Sequence, residues 1–104
     1  MRKVLVHGVA IDDENRLRVL VSNSAFDDYM FVYRSASGVR WSEESGCLYS
    51  DVPRKLSHAE WYAIIRESVL GEYGELLTLA ENVDWNNVPP DTQAAICDVD
   101  RTAV

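Results

Sequence analysis

Residues 56–70 read Leu56-Ser57-His58-Ala59-Glu60-Trp61-Tyr62-Ala63-Ile64-Ile65-Arg66-Glu67-Ser68-Val69-Leu70, and everything before them reads as strand and turn. Ser57 followed by Glu60 is a capping box: each side chain takes a free backbone N–H at the start of a helix. Leu56, just before the cap, can staple onto Trp61. Trp61, Ile64, Ile65, Ser68 and Val69 recur at helical spacing and predict one apolar stripe. Tyr62 and Tyr73 stand at its margin, and Glu60 and Glu67 on the opposite, wet face. A helix of this kind, placed after a run of strands, is a lid that closes a sheet.

Working back toward the start, Lys3–Ile11 is β-branched and apolar on both parities, the mark of a strand covered on both faces. Leu17, Val19 and Val21 alternate with Arg16, Arg18 and Ser22, as in a half-buried strand. A three-residue loop Asp13-Glu14-Asn15, with Asn15 in the left-handed region, sets Ile11 opposite Leu17, Val9 opposite Val19 and His7 opposite Val21. Ser22–Asp28 is a longer connection. Tyr29–Ser35 reads as a third strand with Tyr29, Phe31 and Tyr33 on one parity. Loops Ala36-Ser37-Gly38 and Glu44-Ser45-Gly46 put glycine where positive φ is needed. They set Tyr33 and Arg34 across from Trp41 and Arg40, and Trp41 across from Tyr49. Pro53 ends the fifth strand.

Beyond the organising helix, Gly71 and Gly74 interrupt the pattern. Glu72–Glu81 reads as continued or restarted helix, Val83–Pro90 as a loop, and Asp91 or Thr92 to about Val99 as a short helix packed through Ala94, Ala95, Ile96 and Val99. The expected fold is a single α+β domain over residues 1–104. It consists of a five-stranded antiparallel β-meander followed by two or three C-terminal helices on one face of the sheet.

Composition narrows the function classes. The 47% hydrophobic and 26% charged fractions suit an ordinary soluble globular chain. A net charge of −7 and a pI near 4.6 argue against nucleic acid and anionic membranes. A basic protein or a cationic small molecule is compatible. No signal peptide and no run of membrane-spanning length is recognisable, which makes the cytoplasm the default location. Cys47 and Cys97 are expected to be free thiols rather than a disulfide.

Catalytic and metal patterns are not found. His58, on the first turn of the helix, reads as a surface residue. His7 lies in an apolar strand and can point at the aromatic set. Neither histidine has a cysteine or glutamate at ligand spacing, so no metal and no cofactor are expected. Asp12-Asp13-Glu14 lacks the glycine and the later glutamate of a calcium loop. No G-x-S-x-G elbow and no glycine-rich phosphate loop occurs.

The aromatic residues are the strongest constellation. His7, Tyr29, Phe31, Tyr33, Trp41, Tyr49, Trp61 and Tyr62 are the candidate ligand-binding set, lining a pocket between sheet and helix if the helix does not fill it. Val4, Val6 and Ala10, on the second apolar parity of the first strand, are the candidate interface of a homodimer. The leading expectation is a small acidic non-enzymatic interaction protein whose partner is another protein or a second copy. The alternative is a small-molecule binding domain using the aromatic pocket. A small hydrolase or isomerase built on His7 comes last.

Overall fold

The computed structural model describes residues 2–21, 29–34, 37–51 and 55–101. Five strands form one mixed sheet: β1 (Arg2–Ile11), β2 (Leu17–Val21), β3 (Val39–Ser42), β4 (Cys47–Ser50) and β5 (Glu75–Asn86), in the order β3-β4-β2-β1-β5. Two α-helices are described, α1 (His58–Tyr73) and α2 (Pro90–Arg101), with one short 3-10 turn at Val32–Arg34.

The first hairpin forms as its turn chemistry dictates. Ile11 pairs with Leu17 and Val9 with Val19, and Asn15 takes φ 64°. Asp12 Oδ1 accepts the amides of Glu14 and Arg16 at 3.0 and 2.9 Å, which holds the tip closed. The ladder then slips at a bulge between Val6 and Gly8, so that Val6, not His7, faces Val21. His7 is exposed on the bulge.

The bulge changes which side chains of β1 go inward. Val4, Val6 and Val9 are buried, whereas Leu5 is exposed. Val4 and Val6 are 1% and 0% exposed, so the cover they need comes from within the chain. An interface made by these two residues is therefore corrected: they belong to the core, and only Ala10 is partly open.

The antiparallel meander is also corrected. Residues 29–34 make a turn and a 3-10 helix, not a strand, so neither Tyr33–Trp41 nor Arg34–Arg40 pairs across a ladder. The β3–β4 turn is one residue longer than expected, Glu43–Gly46, with Ser42 paired to Cys47. Trp41 thus faces Leu48, and Tyr49 faces Arg40. A shift of one residue puts Trp41 and Tyr49 on opposite faces of the sheet. The expected strand end at Pro53 lies outside the described residues, as does the connection 22–28.

The largest difference is at 75–86. Gly74, left-handed at φ 66°, caps α1 and donates its amide to Leu70. The chain beyond is not helix or loop but β5, running parallel to β1. Leucine, alanine and glutamate favour helix locally, but β1 is apolar on both parities and needs a second strand along its open edge. Glu75 and Leu77 are buried while Leu76 and Thr78 are only partly so, a period of two. Strand β4, helix α1 and strand β5 thus form a crossover joining two parallel strands, and α1 lies across the strands between them.

The capping box of α1 is present: Glu60 N–H donates to Ser57 Oγ at 3.1 Å and Ser57 N–H to Glu60 Oε1 at 3.0 Å. Its buried face is Ala59, Tyr62, Ile65, Arg66, Ser68 and Val69, turned by about one residue from the stripe of apolar side chains. The turn brings in Tyr62 and Arg66, whose polar ends find partners. Arg66 donates to the carbonyls of Leu77 at 3.1 Å and Val99 at 2.7 Å. Tyr62 donates to Asp100 at 2.8 Å, and Asp100 also accepts the Leu79 amide at 3.1 Å. Residues 77 and 79 turn their backbone groups away from β1, toward the free edge of the sheet. That edge is therefore closed at its buried end by a cation from α1 and an anion from α2.

Candidate functional site

The turn that replaces the third strand is anchored by Tyr29. Its ring is buried edge-to-face against Trp41, with centroids at 5.2 Å, and against Tyr73 at 5.0 Å. Its hydroxyl donates to the buried Glu75 at 2.6 Å, and Arg2 approaches the same carboxylate at 3.3 Å. The Phe31 amide donates to the Tyr73 hydroxyl at 3.1 Å. Pinned in this way, the turn buries Tyr29 and Val32 and turns its other large side chains outward. Met30, Phe31 and Tyr33 are 55%, 41% and 55% exposed. Arg34 lies over the Phe31 ring, 4.2 Å from its centroid.

Next to this turn, a groove of about 300 Å3 wraps the outer edge of the sheet, lined by Met30, Tyr33, Arg40, Trp41, Glu43 and Tyr49. Strand β3 ends the sheet here. The Asp51 amide donates to the Gly38 carbonyl at 2.9 Å, which makes Gly38–Asp51 a hydrogen-bonded pair. Such pairs alternate in an antiparallel ladder, so the backbone N–H and C=O of Trp41 point away from β4, toward the open edge.

Cations gather around this groove although the chain is acidic. Arg16 and Arg18 both stack on Tyr49, at 5.2 and 5.4 Å. Asp12 holds that pair, at 3.1 Å from Arg16 Nε and 2.9 Å from Arg18 Nε. Burial pushes the Asp12 carboxyl up, but the amides of Arg16 and Glu14 and the two guanidiniums outweigh it and hold it at about 2. Arg40 meets Asp51 only at 4.0 Å, with both side chains well exposed. Burial pushes the Cys47 thiol up, partly offset by Arg18 Nη1 at 3.4 Å.

The expected aromatic set is thus divided. Tyr33, Trp41 and Tyr49 line the groove and Phe31 stands at its rim. Tyr29 lies in the core beneath. Trp61 backs the turn before β3, where a Cβ at Gly38 would come within 2.8 Å of its ring. Tyr62 belongs to the α1–α2 contact, where burial and the Asp100 carboxylate raise its hydroxyl pKa. His7 stands apart on β1. His58 is half-buried, its Nε2 at 3.3 Å from Asn15 Oδ1, and burial lowers its pKa. Met30, Arg34, Arg40 and Glu43 were not in the expected set. Their signal was faint: Arg18 and Arg40 share a sheet face with Tyr49, visible only once the strand order is known.

A second cavity, of about 470 Å3, lies between β5 and the end of α2, lined in part by Trp85, Cys97 and Arg101. Both cysteines are free, and no group of three or more histidine, cysteine or acidic side chains fit to hold a metal is found among the described residues. No described helix is long and apolar enough to cross a membrane.

Residues 5–83 match the family described as Integron Cassette Protein Hfx_Cass5. The chain belongs to that family. A solved structure of Integron Cassette Protein Hfx_Cass5, from the mobile metagenome of North West Arm Sewage Outfall, is 31% identical. The match covers 98% of this chain and 99% of that one, with a TM-score of 0.46. No curated protein matches. The family description names no activity, ligand or partner.

Proposed function

We propose that the protein is a small non-enzymatic binding protein, whose contact surface is the Met30–Arg34 turn together with the groove along β3, and whose partner is another protein or a second copy. One observation carries the reading. Three large apolar side chains, Met30, Phe31 and Tyr33, are turned to solvent on one short segment whose anchor is buried and hydrogen-bonded. A contiguous apolar patch rimmed by charge is the usual mark of an interface. Isolated exposed apolar residues elsewhere need no such account.

The homodimer that the first strand suggested moves to this surface, because Val4 and Val6 are inside. A two-fold contact needs a patch that complements itself. Met30, Phe31 and Tyr33 supply its apolar centre, and exposed Arg34, Arg40, Glu43 and Glu44 supply both signs at its rim. The free thiols of Cys47 and Cys97 support a reducing compartment, the cytoplasm. The groove's volume, at the low end for small-ligand sites, supports a small molecule as the alternative.

Sedimentation velocity across the micromolar range tests the leading reading. The parent is expected to associate with rising concentration, and Phe31→Glu to remain a monomer. A parent that stays monomeric and captures no protein through this turn would remove the reading.

A further inference from the structure

The net charge of −7 points to basic partners, but the surroundings of the groove point the other way. Arg16, Arg18, Arg34 and Arg40, four of the chain's ten basic residues, stand on or beside its walls. Asp12 and Glu14 are engaged by Arg16 and Arg18. Among the described residues, Arg40 has the loose contact with Asp51 and Arg34 makes no ion pair. Opposing them in the lining is Glu43.

We propose that the groove takes an acidic segment of a partner protein, with one aromatic or large apolar side chain next to a carboxylate. This rests on the reading of the turn as a contact surface and names its occupant. The apolar side chain lies against Tyr33, Trp41 and Met30, where an aromatic ring gains edge or offset contacts. The carboxylate reaches Arg40, whose planar guanidinium offers paired donors. The outward N–H of Trp41 offers a backbone donor on the same edge, as in recognition of extended chains along a sheet margin. Arg34, over the Phe31 ring, extends the favourable field within a Debye length of roughly 8 Å at physiological salt, whereas Arg16 and Arg18 are offset by Asp12 and Glu14. Glu43, in the lining itself, opposes the occupant, and its neutralisation should tighten binding.

The test titrates the full chain with three probes and follows the side-chain resonances of Tyr33, Trp41 and Tyr49. The probes are acetyl-Asp-Phe-Asp-amide, its lysine counterpart acetyl-Lys-Phe-Lys-amide, and free phenylacetate. The acidic peptide is expected to shift all three residues and to weaken at high salt. Arg40→Ala should weaken it at least about fivefold, the loss of one charged hydrogen bond. Glu43→Gln should strengthen it. Both substitutions are at exposed side chains, so unchanged denaturation midpoints confirm that the variants fold.

Equal or tighter binding of the lysine peptide would overturn the charge assignment and with it the proposal. Phenylacetate binding as tightly as the peptide would overturn the protein segment in favour of a small ligand. If no probe shifts the groove while Phe31→Glu still abolishes self-association, this occupant is wrong and the contact surface stands. If neither effect is seen, both fall.

Discussion

The Tyr62 hydroxyl donates to Asp100 at 2.8 Å, tying the second turn of α1 to the last turn of α2. The same carboxylate holds the Leu79 amide at the margin of the sheet. The Thr78 hydroxyl also donates to it, at 3.4 Å, so removing Asp100 leaves three donors without their acceptor. Asp100→Ala is expected to cost about 2–3 kcal/mol, and Tyr62→Phe about 1 kcal/mol. Urea denaturation of both variants checks the order. Asp100→Ala should also increase aggregation, because it opens the edge of β5.

Acid should act on the first hairpin. An unfolded aspartate takes its proton near 3.8, whereas folded Asp12 holds its charge down to about 2. A depressed carboxylate favours the folded chain fully above the unfolded value, and that contribution is lost as pH falls toward the folded one. Between pH 4 and pH 2 the stability of the parent should fall more steeply than that of Asp12→Asn. Denaturant midpoints measured through that window check it, and parallel slopes would remove Asp12 from the account.

Two glycines in turns separate strain from crowding. Gly38 and Gly46 both have positive φ, at 91° and 64°. A Cβ on Gly46 meets nothing within 4 Å, whereas one on Gly38 comes within 2.8 Å of Trp61. Gly46→Ala should cost about 1–2 kcal/mol from backbone conformation alone. Gly38→Ala should cost more, since it also displaces a half-buried tryptophan. Thermal denaturation of the pair gives the comparison, and equal losses would mean that Trp61 yields freely.

The cap of α1 gives a smaller, independent effect. Ser57→Ala should cost about 1 kcal/mol through loss of the bond to the Glu60 amide. No change in midpoint would mean that the first turn is held by its packing.

What could be read from the sequence was whatever local chemistry decides. The Ser57–Glu60 box, the Asn15 turn and the helix after Pro89 depend on residues close in sequence, and each signal was complete. What was lost depended on long-range pairing. Glu75–Asn86 looks helical because the leucines that pair with β1 carry no mark of their partner. The β3–β4 register failed by one residue because Glu43 can join either the strand or the turn. The side of β1 that is buried changed at a bulge beside Gly8, a glycine that hints at a bulge but does not fix the register beyond it. The candidate site suffered for the same reasons: its aromatic members Tyr33, Trp41 and Tyr49 were visible, but the arginines and Met30 join them only through the fold.

Hydroxyl-radical labelling over a concentration series tests the contact surface most directly. Met30, Phe31 and Tyr33 should lose labelling as the chain associates, while Leu5, exposed on the sheet, should keep it. Protection of Leu5 with unchanged labelling of the Met30–Tyr33 turn, or association without protection of either, would contradict the account.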